Sequence, residues 1–197
     1  DSSKLIGQGW EGWIFEYTDD KIIKVYNDGN EKYLNSLTLF QKYLFNNAHF
    51  PFALPQIYLI KQTEDGVFYT IEKRLYGSQL DAIFPSLEEK KQFQVLESYF
   101  QSILDFGKFH LPQYDFGNIL DTQEKITAKD WIDFLISKLK QRSILSKTRM
   151  KQEVNNYEGK IQWLEEIIKA NLQSNEKSLV HGDYYFNNVL VDDSYQV

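Results

Sequence analysis

The chain has 197 residues, 42% of them hydrophobic and 16% aromatic, and a formal net charge of −6. This composition excludes a disordered chain, and the lack of any cysteine excludes disulfides, thiolate metal sites and cysteine nucleophiles. The acidic balance argues against a general nucleic-acid binder, which needs a basic surface to displace counterions. No apolar run approaches the ~20 residues of a membrane span, so no membrane partner is expected and the expected location is the cytoplasm.

The first quarter reads as strands. Leu5-Ile6 leads into Gly7-Gln8-Gly9-Trp10-Glu11-Gly12, and Trp13 to Tyr17 follows with aromatic and β-branched residues. Thr18-Asp19-Asp20 is a turn signal, and Lys21-Ile22-Ile23-Lys24-Val25-Tyr26 is another short strand. Asn27-Asp28-Gly29-Asn30 breaks that pattern and offers an N-cap for a helix over residues 31–46, where Leu34, Leu37, Phe40 and Leu44 recur at helical spacing. Gln56 to Ile60 and Val67 to Glu72 read as two strands joined by a turn at Gln62 to Gly66. Five strands with one inserted helix form an antiparallel sheet module.

From Ser86 the character becomes helical. Ser86-Leu87-Glu88-Glu89 has the form of a capping box and opens a helix to about His110. Thr127-Ala128-Lys129-Asp130 opens a second, running from Trp131 to about Leu145, and residues 148–172 form a third with Val154, Tyr157, Ile161, Leu164 and Ile168 on one face. Residues 111–126, with Pro112 and Gly117, read as loop.

Gly7-x-Gly9-x-x-Gly12 is a weak motif by itself. A dinucleotide fold needs these glycines to open a helix, whereas strand residues follow here. That favours a strand–turn–strand flap whose backbone N–H groups lie over phosphates, with an ordinary glycine-rich hairpin as the plainer alternative. The richest stretch is Leu179-Val180-His181-Gly182-Asp183-Tyr184-Tyr185-Phe186-Asn187-Asn188, followed by the apolar Val189-Leu190-Val191. A carboxylate and a carboxamide five residues apart suit a loop that holds Asp183 against a hydroxyl nucleophile and Asn188 against a metal ion. A polar turn between two buried strands is the alternative.

The His-Gly-Asp-x-x-x-x-Asn spacing, with the glycine turn, Lys24 and the order of the segments, resembles the aminoglycoside phosphotransferase-like family of small-molecule kinases. The resemblance implies an α+β, protein-kinase-like two-lobe fold: a small antiparallel β lobe with one helix over residues 1–75 and a mainly helical, incomplete lobe over residues 76–197. It implies ATP and Mg²⁺ as cofactors and a small-molecule hydroxyl acceptor as partner. In that reading Gly7, Gly9 and Gly12 cover the phosphates, Lys24 holds them, Glu31 pairs with Lys24, and the backbone around Lys73 to Leu75 meets the adenine. Asp183 is the catalytic base and Asn188 a metal ligand, while His181 braces the loop and His110 is structural.

The acceptor is not legible: an aminoglycoside antibiotic, a sugar, a choline-like alcohol and an amino alcohol all fit. Asp130 and Asp133 could meet a cationic acceptor but equally suit the first turn of a helix. Gly182, where protein kinases carry Arg, argues against a protein kinase. The rival classes are a non-catalytic nucleotide-binding module and a helical interaction protein. Asp1 in place of a starting Met, and a hairpin barely begun at Val197, read as the ends of a piece of a longer chain. A second metal-binding Asp would then lie beyond Val197, and the piece alone would be a poor catalyst.

Overall fold

The computed structural model describes residues 4–120, 126–171 and 177–197. It divides into two compact units. The first runs to Phe109 and resumes at Leu179; the second is His110–Ser178.

In the first unit, β1 (Leu5–Gly9), β2 (Gly12–Thr18), β3 (Lys21–Tyr26), β4 (Ile57–Gln62) and β5 (Phe68–Lys73) form one antiparallel sheet in the order β1-β2-β3-β5-β4. Lys24 lies opposite Ile14 on one side and Thr70 on the other. Directly opposed residues share a face, so Lys24, Tyr26, Thr70 and Glu72 lie on one side of the sheet. Helix α1 (Glu31–Asn47) starts as expected, because the Asn30 side chain accepts from the Tyr33 N–H at 3.0 Å. It buries Leu34, Gln41 and Leu44, and Gln41 Oε1 accepts the Ile57 N–H at 2.8 Å, which fixes the helix to β4.

After Lys73 the chain forms β6 (Ser78–Gln79), the short helix α2 (Leu80–Ile83), a 3₁₀ turn (Phe84–Ser86) and α3 (Glu89–Gly107). The expected capping box at Ser86 does not form. Its hydroxyl donates back to the Ile83 carbonyl at 2.8 Å, and the helix begins after Glu88 without a side-chain cap. Helix α2 was not expected, since four residues are too few to show a period. The last strand, β9 (Leu190–Val191), pairs with β6, and Leu80, Val95, Tyr99, Val189 and Val191 close a core between them. Leu80 and Val95 are fully buried, each worth about 1.5–3 kcal/mol.

In the second unit, β7 (Phe116–Gly117) pairs with β8 (Thr127–Ala128), so part of the expected loop is a small hairpin; residues 121–125 lie outside the described residues. Helix α4 (Trp131–Glu153) is capped by Asp130, whose Oδ1 accepts from the Ile132 and Asp133 N–H groups at 2.7 and 3.3 Å. Thr127 is therefore a strand residue rather than a cap. The helix runs past the expected end at Leu145 because nothing from Ser146 to Glu153 breaks it. The break comes at Asn155-Asn156, where Asn156 takes φ 55°. Helix α5 (Tyr157–Asn171) thus starts later than the expected 148, and the expected end at 172 lies outside the described residues. The hairpin is held by Tyr157, whose buried ring donates its hydroxyl to the Ser143 carbonyl at 3.0 Å.

Candidate active site

The glycine turn lies between β1 and β2. A Cβ on Gly12 would stand 1.9 Å from the Val25 carbonyl oxygen, at a φ of +157°, so the sheet itself requires glycine there. Gly7 and Gly9 are different: a Cβ on Gly7 would make ordinary contact with Ile14 at 3.5 Å, and one on Gly9 would meet nothing within 4 Å. The backbone at Gly9 is open to close approach from outside. The turn is tied down by Asn27, whose N–H donates to the Glu11 carbonyl and whose side chain donates to the Trp10 carbonyl, both at 2.9 Å. Trp10, at its tip, is 98% exposed.

Lys24 reaches Glu11, with Nζ to Oε2 at 2.5 Å, and stands 4.9 Å above the Tyr26 ring. This corrects the expected pairing with Glu31. Glu31 is exposed in the first turn of α1, where the helix dipole alone favours a carboxylate. The residue that sequence reasoning missed is Glu72. It is buried and accepts from Tyr26 Oη at 3.1 Å and from Thr70 Oγ1 at 2.5 Å. Burial, and next the Glu72 carboxylate, push the Tyr26 hydroxyl far above its usual range. The signal was available in the pairing of β3 with β5, which sets Thr70 and Glu72 on the lysine's face.

In the connector, the Lys73 N–H donates to the Gln56 carbonyl at 2.8 Å and the Arg74 N–H to the Asp20 carbonyl at 2.9 Å. Arg74 also pairs with Glu16 at 2.9 Å. The Leu75 N–H has no hydrogen-bond partner among the described residues, so of the backbone donors expected to meet a base it is the available one.

The loop around Asp183 brings the two motif residues together. Asn188 Nδ2 donates to both the Asp183 carbonyl and its Oδ2, each at 2.9 Å. A 3₁₀ turn (Phe186–Asn188) folds the carboxamide back over the carboxylate. Gly182 takes φ +81° with open space around it, so a side chain there would be strained by backbone conformation and not by crowding. His181 Nδ1 accepts the Asp183 N–H at 3.4 Å, and its ring packs edge-on against Tyr184 and Phe106 at 5.2 and 6.1 Å. This desolvation holds the imidazole below its usual value, against the opposing pull of Asp183. His181, Phe106, Leu179 and Tyr184 also line an apolar cavity of about 500 Å³. His110, in the second unit, meets the Lys177 carbonyl through Nδ1 at 2.7 Å, a structural contact.

Among the described residues no hydrogen bond or ion pair joins Lys24 or the glycine turn to Asp183 or Asn188. Nor is there a group of three acidic or histidine side chains spaced to hold a metal ion. The exposed Asn188 carboxamide, whose Nδ2 is taken by Asp183 while its Oδ1 accepts no hydrogen bond among the described residues, offers the kind of oxygen that suits an ion such as Mg²⁺, which takes one or two protein oxygens and completes its shell with phosphate and water.

A five-stranded antiparallel sheet with one helix, followed by helices, also occurs in solved structures of aminoglycoside phosphotransferases. A thermostable mutant of aminoglycoside phosphotransferase APH(4)-Ia in its apo form aligns over 100% of this chain and 64% of its own, with a TM-score of 0.65 and 17% identity. Another such mutant, in ternary complex with ADP and hygromycin B, aligns over 99% of this chain and 63% of its own, at 0.69 and 19%. A streptomycin–ATP–APH(2")-IIa ternary complex aligns over 100% and 63%, at 0.63 and 16%. The chain therefore has the aminoglycoside phosphotransferase-like fold and spans about 64% of the length of these proteins. No family model and no curated protein sequence matches it.

Proposed function

We propose that the chain is the nucleotide-binding and catalytic-loop part of an ATP-dependent phosphotransferase that moves the γ-phosphate onto a hydroxyl of a small molecule. The observation that carries this reading is the Asn188 carboxamide hydrogen-bonded to the Asp183 carboxylate at 2.9 Å, in a loop whose spacing phosphoryl transfer demands. One structural neighbour carries alanine in place of an Asp, and another carries it in place of an Asn five positions on, the separation of Asp183 and Asn188; a third carries it in place of an Asn four positions on. They were solved with ADP or AMP-PNP and hygromycin B.

In this mechanism the chain supplies position and charge rather than covalent chemistry. Asp183 accepts a hydrogen bond from the acceptor hydroxyl and takes its proton as the oxygen bonds to the γ-phosphorus, while the bond from that phosphorus to the bridging oxygen breaks and ADP leaves. Lys24 Nζ holds the phosphates as a point charge, and the open backbone at Gly9 lets the flap lie close over them. The Leu75 N–H donates to the base. Asn188 Oδ1 would ligate Mg²⁺, which when bound neutralises charge on the phosphates. The neutral His181 ring holds the loop against Phe106 and Tyr184. An aminoglycoside acceptor would make the activity one of antibiotic resistance; a sugar or amino alcohol would make it metabolic.

The test is ATP binding by this chain, followed by transfer of labelled phosphate to a panel of hydroxylated cations by a chain of the neighbours' full length. Asp183→Asn is expected to abolish turnover, by at least about a hundredfold, while ATP binding persists. Undiminished turnover in that variant would remove the mechanism. ATP binding without transfer to any acceptor would favour a non-catalytic nucleotide-binding module.

A further inference from the structure

The partner of Lys24 is the unusual element of this site. Glu72, which shares its face of the sheet, is occupied by the hydroxyls of Tyr26 and Thr70. Glu31 is exposed at the start of α1. The counter-charge of Lys24 is instead Glu11, on the tip of the glycine turn, at 2.5 Å. The lysine side chain is 20% exposed and the glutamate 61%, so the pair runs from a sheltered ammonium to a carboxylate open to solvent.

A carboxylate carried by the sheet or by a packed helix orients such a lysine from behind and leaves its outer face free. One carried by the turn sits on the outer face, where a bound polyphosphate would lie. Both are oxygen anions seeking the same ammonium, and each repels the other. Resting on the reading of Lys24 as the phosphate-holding residue, we infer that Glu11 is an internal phosphate surrogate. Its carboxylate caps Lys24 when no nucleotide is bound, and it is displaced on nucleotide entry, so that the chain competes with its own substrate. The anchoring of the turn favours this use. Asn27 holds the backbone of Trp10 and Glu11 through two hydrogen bonds independent of the carboxylate. The Glu11 side chain can therefore swing away while the turn stays in place.

The sign of one substitution separates this role from ordinary lysine positioning. Glu11→Gln keeps the size and the acceptor oxygen but removes the charge. If Glu11 is a surrogate, the variant binds ATP and inorganic tripolyphosphate more tightly than the parent chain, by about two- to fivefold, a range set by the modest strength of exposed ion pairs. The gain is larger in EDTA than with Mg²⁺ and shrinks in high salt. Adenosine, which has no phosphate, binds both chains equally. In a Lys24→Gln background the Glu11→Gln gain falls, because the contested cation is gone. Calorimetric or fluorescence titration of the four chains reads all of this. Unchanged or weaker ATP binding by Glu11→Gln overturns the inference and leaves the proposed function standing. Parent ATP binding that Lys24→Gln does not weaken overturns the role of Lys24 and the inference together. Absence of ATP binding by every chain overturns both the function and the inference.

Discussion

The ring of Tyr184 lies on that of Tyr99 with centroids 5.0 Å apart and planes inclined by 19°, and its hydroxyl meets Ser102 Oγ at 2.6 Å. Tyr99 in turn donates its hydroxyl to the Tyr184 carbonyl. Because Tyr184 directly follows Asp183, this clamp fixes the carboxylate-bearing loop to helix α3. Tyr184→Phe should keep the stack and lose one hydrogen bond, at about 1 kcal/mol. Tyr184→Ala should lose the ring as well, at about 3 kcal/mol. Urea unfolding of the two variants checks the difference; equal midpoints would mean that the stack contributes nothing.

The glycines of the turn should part company on substitution. Gly12→Ala forces a methyl group into the Val25 carbonyl and should destabilise by more than about 2 kcal/mol. Gly9→Ala meets open space, so folding should be unchanged or improve by up to about 1 kcal/mol. If the flap lies over phosphates, Gly9→Ala should nevertheless weaken ATP binding. Thermal melts with and without ATP separate the two effects, and a Gly9→Ala chain with full ATP affinity would contradict the flap.

Tyr26 gives an alkaline signature. Its hydroxyl titrates far above the ordinary value of 10.0 in the folded chain, because burial and Glu72 both disfavour the phenolate. The unfolded tyrosine loses its proton first, so stability is whole below about pH 10 and declines as pH rises above it. Tyr26→Phe should flatten that decline while leaving Glu72 one donor short, at about 1–3 kcal/mol. Stability against pH in both chains, measured from pH 8 upward, tests the assignment.

His181 gives an acidic one. Its folded value lies below the ordinary 6.5, so above that pH the ring is neutral in both folded and unfolded chains and stability is unaffected. As pH falls through 6.5 the unfolded chain takes up the proton first, and stability declines until the folded ring is protonated too. His181→Gln should remove this step from the pH dependence of the unfolding midpoint. A step that persists in the variant must come from elsewhere.

What the sequence made legible is what local chemistry decides. Asn30 before the apolar spacing of Leu34, Leu37 and Leu44 was enough to place α1, and aromatic and β-branched runs between turn signals were enough for the five strands of the sheet. Asp183 and Asn188 could be read as a pair because one tight turn joins them. The illegible parts depend on encounters between segments. Glu11 meets Lys24 only because the turn folds over the end of β3, and Glu72 finds Tyr26 across two strands forty-six residues apart. Ser86 looked like a cap until the carbonyl of Ile83 offered its hydroxyl a better partner, and α4 continued past Leu145 because no residue before Val154 leaves the helical conformation.

The pairing of Ser78 with Val191 and of Gln79 with Leu190 closes a loop of more than one hundred residues. Contacts of that sequence separation form late and slowly. On the ribosome the five strands and α1 emerge whole while residues 183–191 are still unmade, so the half that would grip a nucleotide matures well ahead of the half that would do chemistry.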